Sequence, residues 1–544
     1  MNGLKHSFGT PTAPTLKARS RSAGHRQVVG LWSAGFGFVV LILGLLLLSR
    51  VGLPASVGIQ LTLALLGTGF AVALWVGKTM TSPDYFYAGR SAPSAIVGLG
   101  GAGDWLGGTM LLVLALSPLQ QRTWLIVAVM TAIGIQMVLF SRSFQRSGVS
   151  TAPGFLIWRY GSRWVGIAAL SAVSAALLCL LAAELLVGAT VLSNLTGLPI
   201  GTAWTLFLII TTLPALLGGW KALLVTSSLL TVFVLLTLLA PAVASGFFAP
   251  LLAQSQALGM TPSVLSPLSS LFDSNETSRM IGGGPWSSFG LVLLLALGLS
   301  VLPVSVSRLS LSASSQDSLE AGTWSALAAF LAISAMPLSL VLVVSASTSE
   351  SVAAILERSA VLHALPHIAL LLAAVSAFSV SLFALGSATA RTLLRTRNLD
   401  PGERSMFTTR LACFCVAIGF WFASDIVLPD PQWLVFAALA LLAGGVFPAM
   451  LAACWVSGLP RWSVILAIVS GTIVPLGILG IHILGNPAGA LTLTLQGLSF
   501  APIALSGLAT GIASLIIGRL VVHFSKSELL DINLRQVRSS GLDA

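Results

Sequence analysis

The chain has 544 residues, of which 8% are charged and 56% hydrophobic. Soluble domains carry about a quarter charged residues, so a soluble globular protein is excluded. The net charge of +11 sits mainly between long apolar runs, where it is a topology signal with some attraction for anionic lipid and not a nucleic-acid footprint.

Residues 1–28 are rich in Ser, Thr, Pro and basic side chains and read as a disordered tail. Apolar runs long enough to cross a bilayer as helices follow fourteen times. They fall at 30–49, 57–77, 92–117, 123–141, 164–192, 199–219, 221–250, 285–307, 321–347, 366–394, 407–428, 432–458, 461–485 and 498–523. The first has too long an apolar core for a signal peptide, and no small-residue cleavage site follows closely, so it is expected to remain as a helix. Segment 251–284 is Ser/Pro-rich with room for a short helix, and its N-E-T at Asn275 is too common a pattern to carry weight. The tail after His523 is too short to fold as a domain. With the N-terminus inside, 23 Lys and Arg fall on inner segments and 4 on outer ones, which supports an even number of spans and two cytoplasmic termini.

Chemistry-bearing motifs are scarce. No Walker loop, dinucleotide fingerprint or His/Cys ligand cluster occurs, so an enzyme or an ATP-driven pump is not expected. Cys179, Cys413, Cys415 and Cys454 all lie in spans, and the spacing of Cys413 and Cys415 points them to different helix faces. His363 and His367 around Pro366, like His482, sit at span ends and read as interfacial, as does Asp425.

The exception is L-G-G-A-G-D-W-L-G-G-T-M-L (99–111). A carboxylate inside a membrane normally faces a cavity or a partner. Six glycines from Gly98 to Gly108 make a continuous lipid-facing helix poor around Asp104. An interrupted helix with an acid at the break is the usual construction of a secondary-transporter site. A plainer alternative has the glycines serve tight packing while Asp104 caps a local helix start.

The stretch P-D-Y-F-Y-A-G-R-S (83–91) followed by G-A-G-D-W resembles the entry to the core of the sodium:solute symporter family, and within it the acetate permease branch. Three further matches follow in order: T-A-P-G-F-L-I-W-R-Y-G-S (151–162), G-L-S-V-L-P-V-S-V-S-R (298–308), and the loop from Ser312 to Ala321 with Asp317 and Glu320. The resemblance covers about residues 80 to 520 and implies an all-α polytopic membrane protein of the bacterial cytoplasmic (inner) membrane. Its core would be a leucine-transporter-type pair of five-helix inverted repeats, at 81–250 and 285–458. Two helices (29–80) would precede the core, and two more (459–523) and a tail (524–544) would follow it. The repeats would open with the Asp104 helix and the Leu302-Pro303 helix, and the substrate would lie between their breaks near Gly103, Asp104 and Gly107.

The resemblance also implies a sodium site, built from the carbonyls of Ala102 and Trp105, the carbonyl of Ala373 and the hydroxyl of Ser376. Ala377 stands where the family has a second hydroxyl, and Val304 where the branch has a histidine. A methyl group cannot ligate a hard cation, which leaves sodium and proton coupling both open. Glu184, a second acid inside a span, would suit proton coupling if it shared a cavity with Asp104, or could be structural or face a partner subunit. Arg308 admits a gating or anchoring role or simple topology. It lies too near the inner end to meet a substrate carboxylate at the midplane, for which the N–H groups of the broken helices are better placed. Two readings follow. The first is a symporter for a small organic solute, such as a short monocarboxylate. The second is a transport-inactive membrane subunit that senses or partners other membrane proteins.

Overall fold

The computed structural model describes residues 28–45, 54–90, 92–116, 119–246, 285–312, 314–345, 360–394, 403–425, 430–485 and 500–524. The expected tails and the 251–284 loop with Asn275 lie outside them. In chain order the helices are α1 (Val28–Leu45), α2 (Ala55–Gly77), α3 (Ser82–Tyr87), α4 (Ser94–Trp105), α5 (Gly108–Leu116), α6 (Leu119–Ile135) and α7 (Ser141–Ser147). Next come α8 (Ala152–Tyr160), α9 (Arg163–Thr196), α10 (Ile200–Leu217) and α11 (Gly219–Gly246). The second half holds α12 (Pro285–Ser300), α13 (Pro303–Arg308), α14 (Ser315–Ser345), α15 (Ala360–Leu394), α16 (Glu403–Phe422), α17 (Pro431–Leu441) and α18 (Phe447–Trp455). Finally α19 (Arg461–Gly485) and α20 (Phe500–Phe524) close the chain. Among the described residues 13 helices, or 14 with the bent pair α4/α5, are long and apolar enough to span a membrane.

A π-helical turn (Gln136–Phe140) joins α6 to α7, and a second (Leu442–Val446) joins α17 to α18. Both keep the backbone helical while shifting the register of the side chains beyond them.

Packing follows which helices carry apolar residues on every face. α15 is buried along most of its spanning length and runs through the middle of the bundle, against α5, α9, α10, α11 and α16. α1, α2, α16, α19 and α20 expose most of their apolar surface, as lipid-facing helices do. Pairs of contacts exchange between the two halves. α4 packs on α14 as α12 packs on α6, and α11 packs on α15 as α17 packs on α9. That exchange is the pattern of two intertwined repeats related by a pseudo-two-fold axis.

The two expected breaks differ in degree. α4 and α5 meet at Leu106–Gly107 with a bend of 60°. α12 and α13 are separated by Val301 and Leu302, with Pro303 opening α13, because proline lacks the N–H and fits the first turn of a helix. The glycines before Asp104 do not break α4, which is regular to Trp105; they let neighbours approach closely.

Candidate functional site

Asp104 lies in the last turn of α4, where the helix dipole disfavours a carboxylate. It therefore does not cap a helix start, since the next helix begins at Gly108. Its compensation is Arg308, the last residue of α13. Arg308 Nε donates to Asp104 Oδ2 and Nη2 donates to Oδ1 at 2.8 Å. Nη2 also reaches Ser227 Oγ of α11 at 3.1 Å, and the guanidinium stacks over the buried Trp220 ring, 5.2 Å from its centroid. Both members of the pair are buried. Arg308 is thus neither a lipid-facing anchor nor a topology charge, as its position near a span end had suggested. It ties the ends of the two interrupted helices together through a fork matched to a carboxylate.

Glu184 occupies a different place. It projects from the middle of α9, and its carboxylate accepts from the Thr109 N–H in the first turn of α5, at 3.3 and 3.4 Å for its two oxygens. A negative group belongs at that helix end. The N–H groups expected to receive a substrate anion are met at α5 by this side chain. Gly107 makes the approach possible, since a Cβ there would overlap Glu184 Oε1 and stand 3.2 Å from the Ala377 methyl. Among the described residues no hydrogen bond or ion pair joins Asp104 to Glu184, and Glu184 has no cationic partner. The two acids hold opposite sides of one break.

α4 ends at Trp105, so the carbonyls of Gly103, Asp104 and Trp105 lack an intrahelical donor, while the Ala102 carbonyl accepts from Leu106 N at 3.1 Å. Beside that turn lies a cavity of about 10 Å³ lined by Ala102, Gly103, Leu106, Ala373, Ser376 and Thr231, room for one water-sized particle. The structure thus brings Ala102, Gly103, Ala373 and Ser376 together. Trp105 lines a second cavity, and Leu302 and Pro303 are buried at the other break, where α13 packs on α4 and α15. That second cavity, of about 30 Å³, is bordered by Arg308, Gln136, Ser312 and Ser325. Arg308 Nη1, Gln136 Nε2 and the Ser312 and Ser325 hydroxyls have no hydrogen-bond partner. A larger crevice of about 680 Å³ between α1, α2 and α11 has no charged lining residue and suits acyl chains better than a polar solute.

Three features of the site have no local signal in the sequence. The partner of Arg308 is one, because Asp104 lies 204 residues away. Thr231 and Gln136 carried no motif, and each matters only through the helix it faces. Cys413 is buried and Cys415 exposed, in keeping with their spacing. Among the described residues no cluster of His, Cys, Asp and Glu could hold a metal ion.

Solved structures with this architecture include a substrate-bound, outward-open Na+-coupled sialic acid symporter (TM-score 0.63, 16% identity, covering 86% of this chain and 98% of that one). A manganese transporter of Eremococcus coleocola (TM-score 0.46, 17% identity, 82% and 98%) and MhsT in complex with L-phenylalanine (TM-score 0.38, 16% identity) are also similar. The fold is of the leucine-transporter type. No curated protein sequence matches the chain. The family model for sodium:solute symporters matches residues 85–388, more than half of the chain and inclusive of both interrupted helices, Glu184 and Ser376. The chain belongs to the sodium:solute symporter family.

Proposed function

We propose that this protein is a cation:solute symporter that moves a small organic solute, a short monocarboxylate such as acetate, by alternating access. It would work in the bacterial cytoplasmic membrane with both termini inside. The observation that carries the reading is the bend at Leu106–Gly107, whose two sides are held by separate acids and which borders, through Ala102, Gly103 and Leu106, a cavity of single-ion size. Irregular backbone at this depth persists where it lines a site.

The residues present fit a monovalent cation. Ser376 Oγ is buried without a hydrogen-bond partner beside the carbonyl end of α4, and no carboxylate lines the cavity, as a divalent ion would require. Ala102, Ala373 and Ser376 border this cavity and would hold sodium, which supplies the downhill gradient, whereas Trp105, the fourth ligand that the resemblance implies, lines the other cavity. Gly103, Asp104, Gly107, Glu184, Leu302 and Pro303 would shape the solute cavity and link it to the ion. The unpaired donors of Gln136, Ser312, Ser325 and Arg308 suit the polar end of a carboxylate path.

Uptake of labelled acetate, propionate and pyruvate into proteoliposomes, under separately imposed sodium and proton gradients, tests the reading, with Asp104→Asn as control. Sodium-driven uptake lost in the variant is expected. Uptake driven by protons alone would move coupling to Glu184, the acid without a cation. No uptake under either gradient from folded protein would overturn transport in favour of a non-transporting subunit.

A further inference from the structure

Ala377 removes a hydroxyl from the place where the family resemblance puts one, yet the cavity beside α4 does not lack a second hydroxyl. Thr231 Oγ1, on α11, and Ser376 Oγ, on α15, each lie 3.0 Å from the point a Cβ on Gly103 would occupy. The two oxygens thus flank one glycine from two helices. Thr231 is 5% exposed and Ser376 3%, and neither oxygen has a hydrogen-bond partner.

Their neighbours behave differently. On α11, Thr226, Ser228 and Thr237 return their hydroxyl protons to carbonyls three or four residues earlier. On α15, Ser379, Ser387 and Thr389 do the same. That back-bond is the default for a hydroxyl in an apolar helix, and forgoing it while buried is costly. Two hydroxyls that both forgo it, face one cavity and stand beside carbonyls at a helix end are arranged for a guest that needs oxygen lone pairs.

We propose that Thr231 is a ligand of the coupling cation, a monovalent ion of sodium's size, and supplies the hydroxyl that Ala377 lacks. The proposal rests on the cation-symport reading above and adds a ligand from α11. Neutral oxygens from α4, α11 and α15 select a hard monovalent cation, and the ion would lock these three helices together. Gly103 is then required because any side chain there fills the ion's place.

The test is a sodium titration of the purified full-length protein at constant ionic strength, with choline and potassium as controls, read as the thermal unfolding midpoint. A ligand that binds the folded state raises that midpoint with concentration. Thr231→Val, which keeps the branched shape, and Ser376→Ala are each expected to raise the half-maximal sodium concentration about tenfold or more, equal to about 1.4 kcal/mol. Thr231→Ser is expected to retain the wild-type response. Gly103→Ala, which leaves both hydroxyls in place, should lose it. A Thr231→Val protein with the wild-type sodium dependence overturns the assignment and leaves symport standing. Wild-type protein indifferent to sodium overturns both the assignment and sodium coupling, and uptake driven by a proton gradient then decides whether symport survives. Should Thr231→Val not fold, Thr231→Ser and Gly103→Ala still decide the matter: a Thr231→Ser protein that loses the response, or a Gly103→Ala protein that keeps it, overturns the assignment.

Discussion

Burying a carboxylate and a guanidinium costs several kcal/mol per ion, offset by their mutual attraction when the geometry is good. Asp104 and Arg308 meet that condition through two parallel N–H···O contacts, a third bond to Ser227 and the face of Trp220. Removing one partner strands the other. Asp104→Asn is therefore expected to destabilise the protein by about 3–5 kcal/mol, seen as a lowered unfolding midpoint in detergent. A double change to Asp104→Leu and Arg308→Met, of similar volume and without charge, should recover most of that loss while leaving uptake absent. Equal midpoints for single and double variants would deny that the pair is coupled. At Glu184 the expectation is graded by chemistry. Glu184→Gln keeps an acceptor oxygen for the Thr109 N–H and should stay within about 1 kcal/mol of wild type. Gly107→Ala drives a methyl into Glu184 Oε1 and should cost about 1–3 kcal/mol by overpacking, read by the same melting experiment.

The segment from Ser82 to Arg90 holds both of the non-glycine residues with positive φ among the described residues, Ala88 and Arg90. Tyr85 donates to the Ala215 carbonyl at 2.8 Å, and burial pushes its phenol well above the ordinary tyrosine range. Lys221 pairs with Asp84 at 2.7 Å but about a third of each side chain is exposed, so this pair contributes about 1 kcal/mol at most. After the helix, Ala88, Gly89 and Arg90 take φ of 47°, 65° and 50°, and left-handed backbone strains any residue with a Cβ. Arg90 is held there by the Gly148 carbonyl at 2.9 Å and the Tyr87 ring. Ala88 caps α3, its N–H donating to the Asp84 and Pro83 carbonyls, bonds that a glycine keeps. Its methyl packs on the core. Ala88→Gly, which trades that contact for relief of the left-handed strain, is expected to stabilise the protein by about 0.5 kcal/mol, a small rise in melting midpoint. A fall would mean that the packing of the alanine methyl outweighs the strain. Such elements also explain what was legible in the sequence. The span pattern is written in local hydropathy, and the α4/α5 break in the G-D-W-L-G-G run, because both depend on near neighbours. The destination of Arg308 and the hydroxyls of Thr231 and Ser376 depend on which faces of α4, α11, α13 and α15 meet, and a single sequence carries no record of that. The glycines misled for a related reason: a close approach and a broken helix both ask for glycine, and Gly103 serves the first.

At the scale of the whole molecule, alternating access would expose one central site, at the bend beside α4, to the two sides of the membrane in turn. The Arg308 cavity lies toward the end of the bundle where Gln145, near the end of α7, donates to the Ser314 carbonyl at 2.9 Å and to that of Leu309 at 3.3 Å. α9 starts close to that end in the chain and runs for 34 residues, about 50 Å at 1.5 Å per residue. This exceeds the roughly 30 Å hydrocarbon core, so Arg163 and Asn194, both exposed, stand at opposite membrane faces. On the proposed orientation, with the excess of Lys and Arg inside, the Arg163 face would be cytoplasmic and the Arg308 cavity would be the one from which solute leaves. The expectation is tested in intact cells with a membrane-impermeant thiol reagent, in a background with Cys179, Cys413, Cys415 and Cys454 replaced by Ala. Asn194→Cys should label from outside, and Arg163→Cys only after the cells are opened. The reverse pattern would invert the orientation and make the Arg308 cavity the entrance, so that a carboxylate would meet Gln136 and Ser325 before it reached the bend at Gly107.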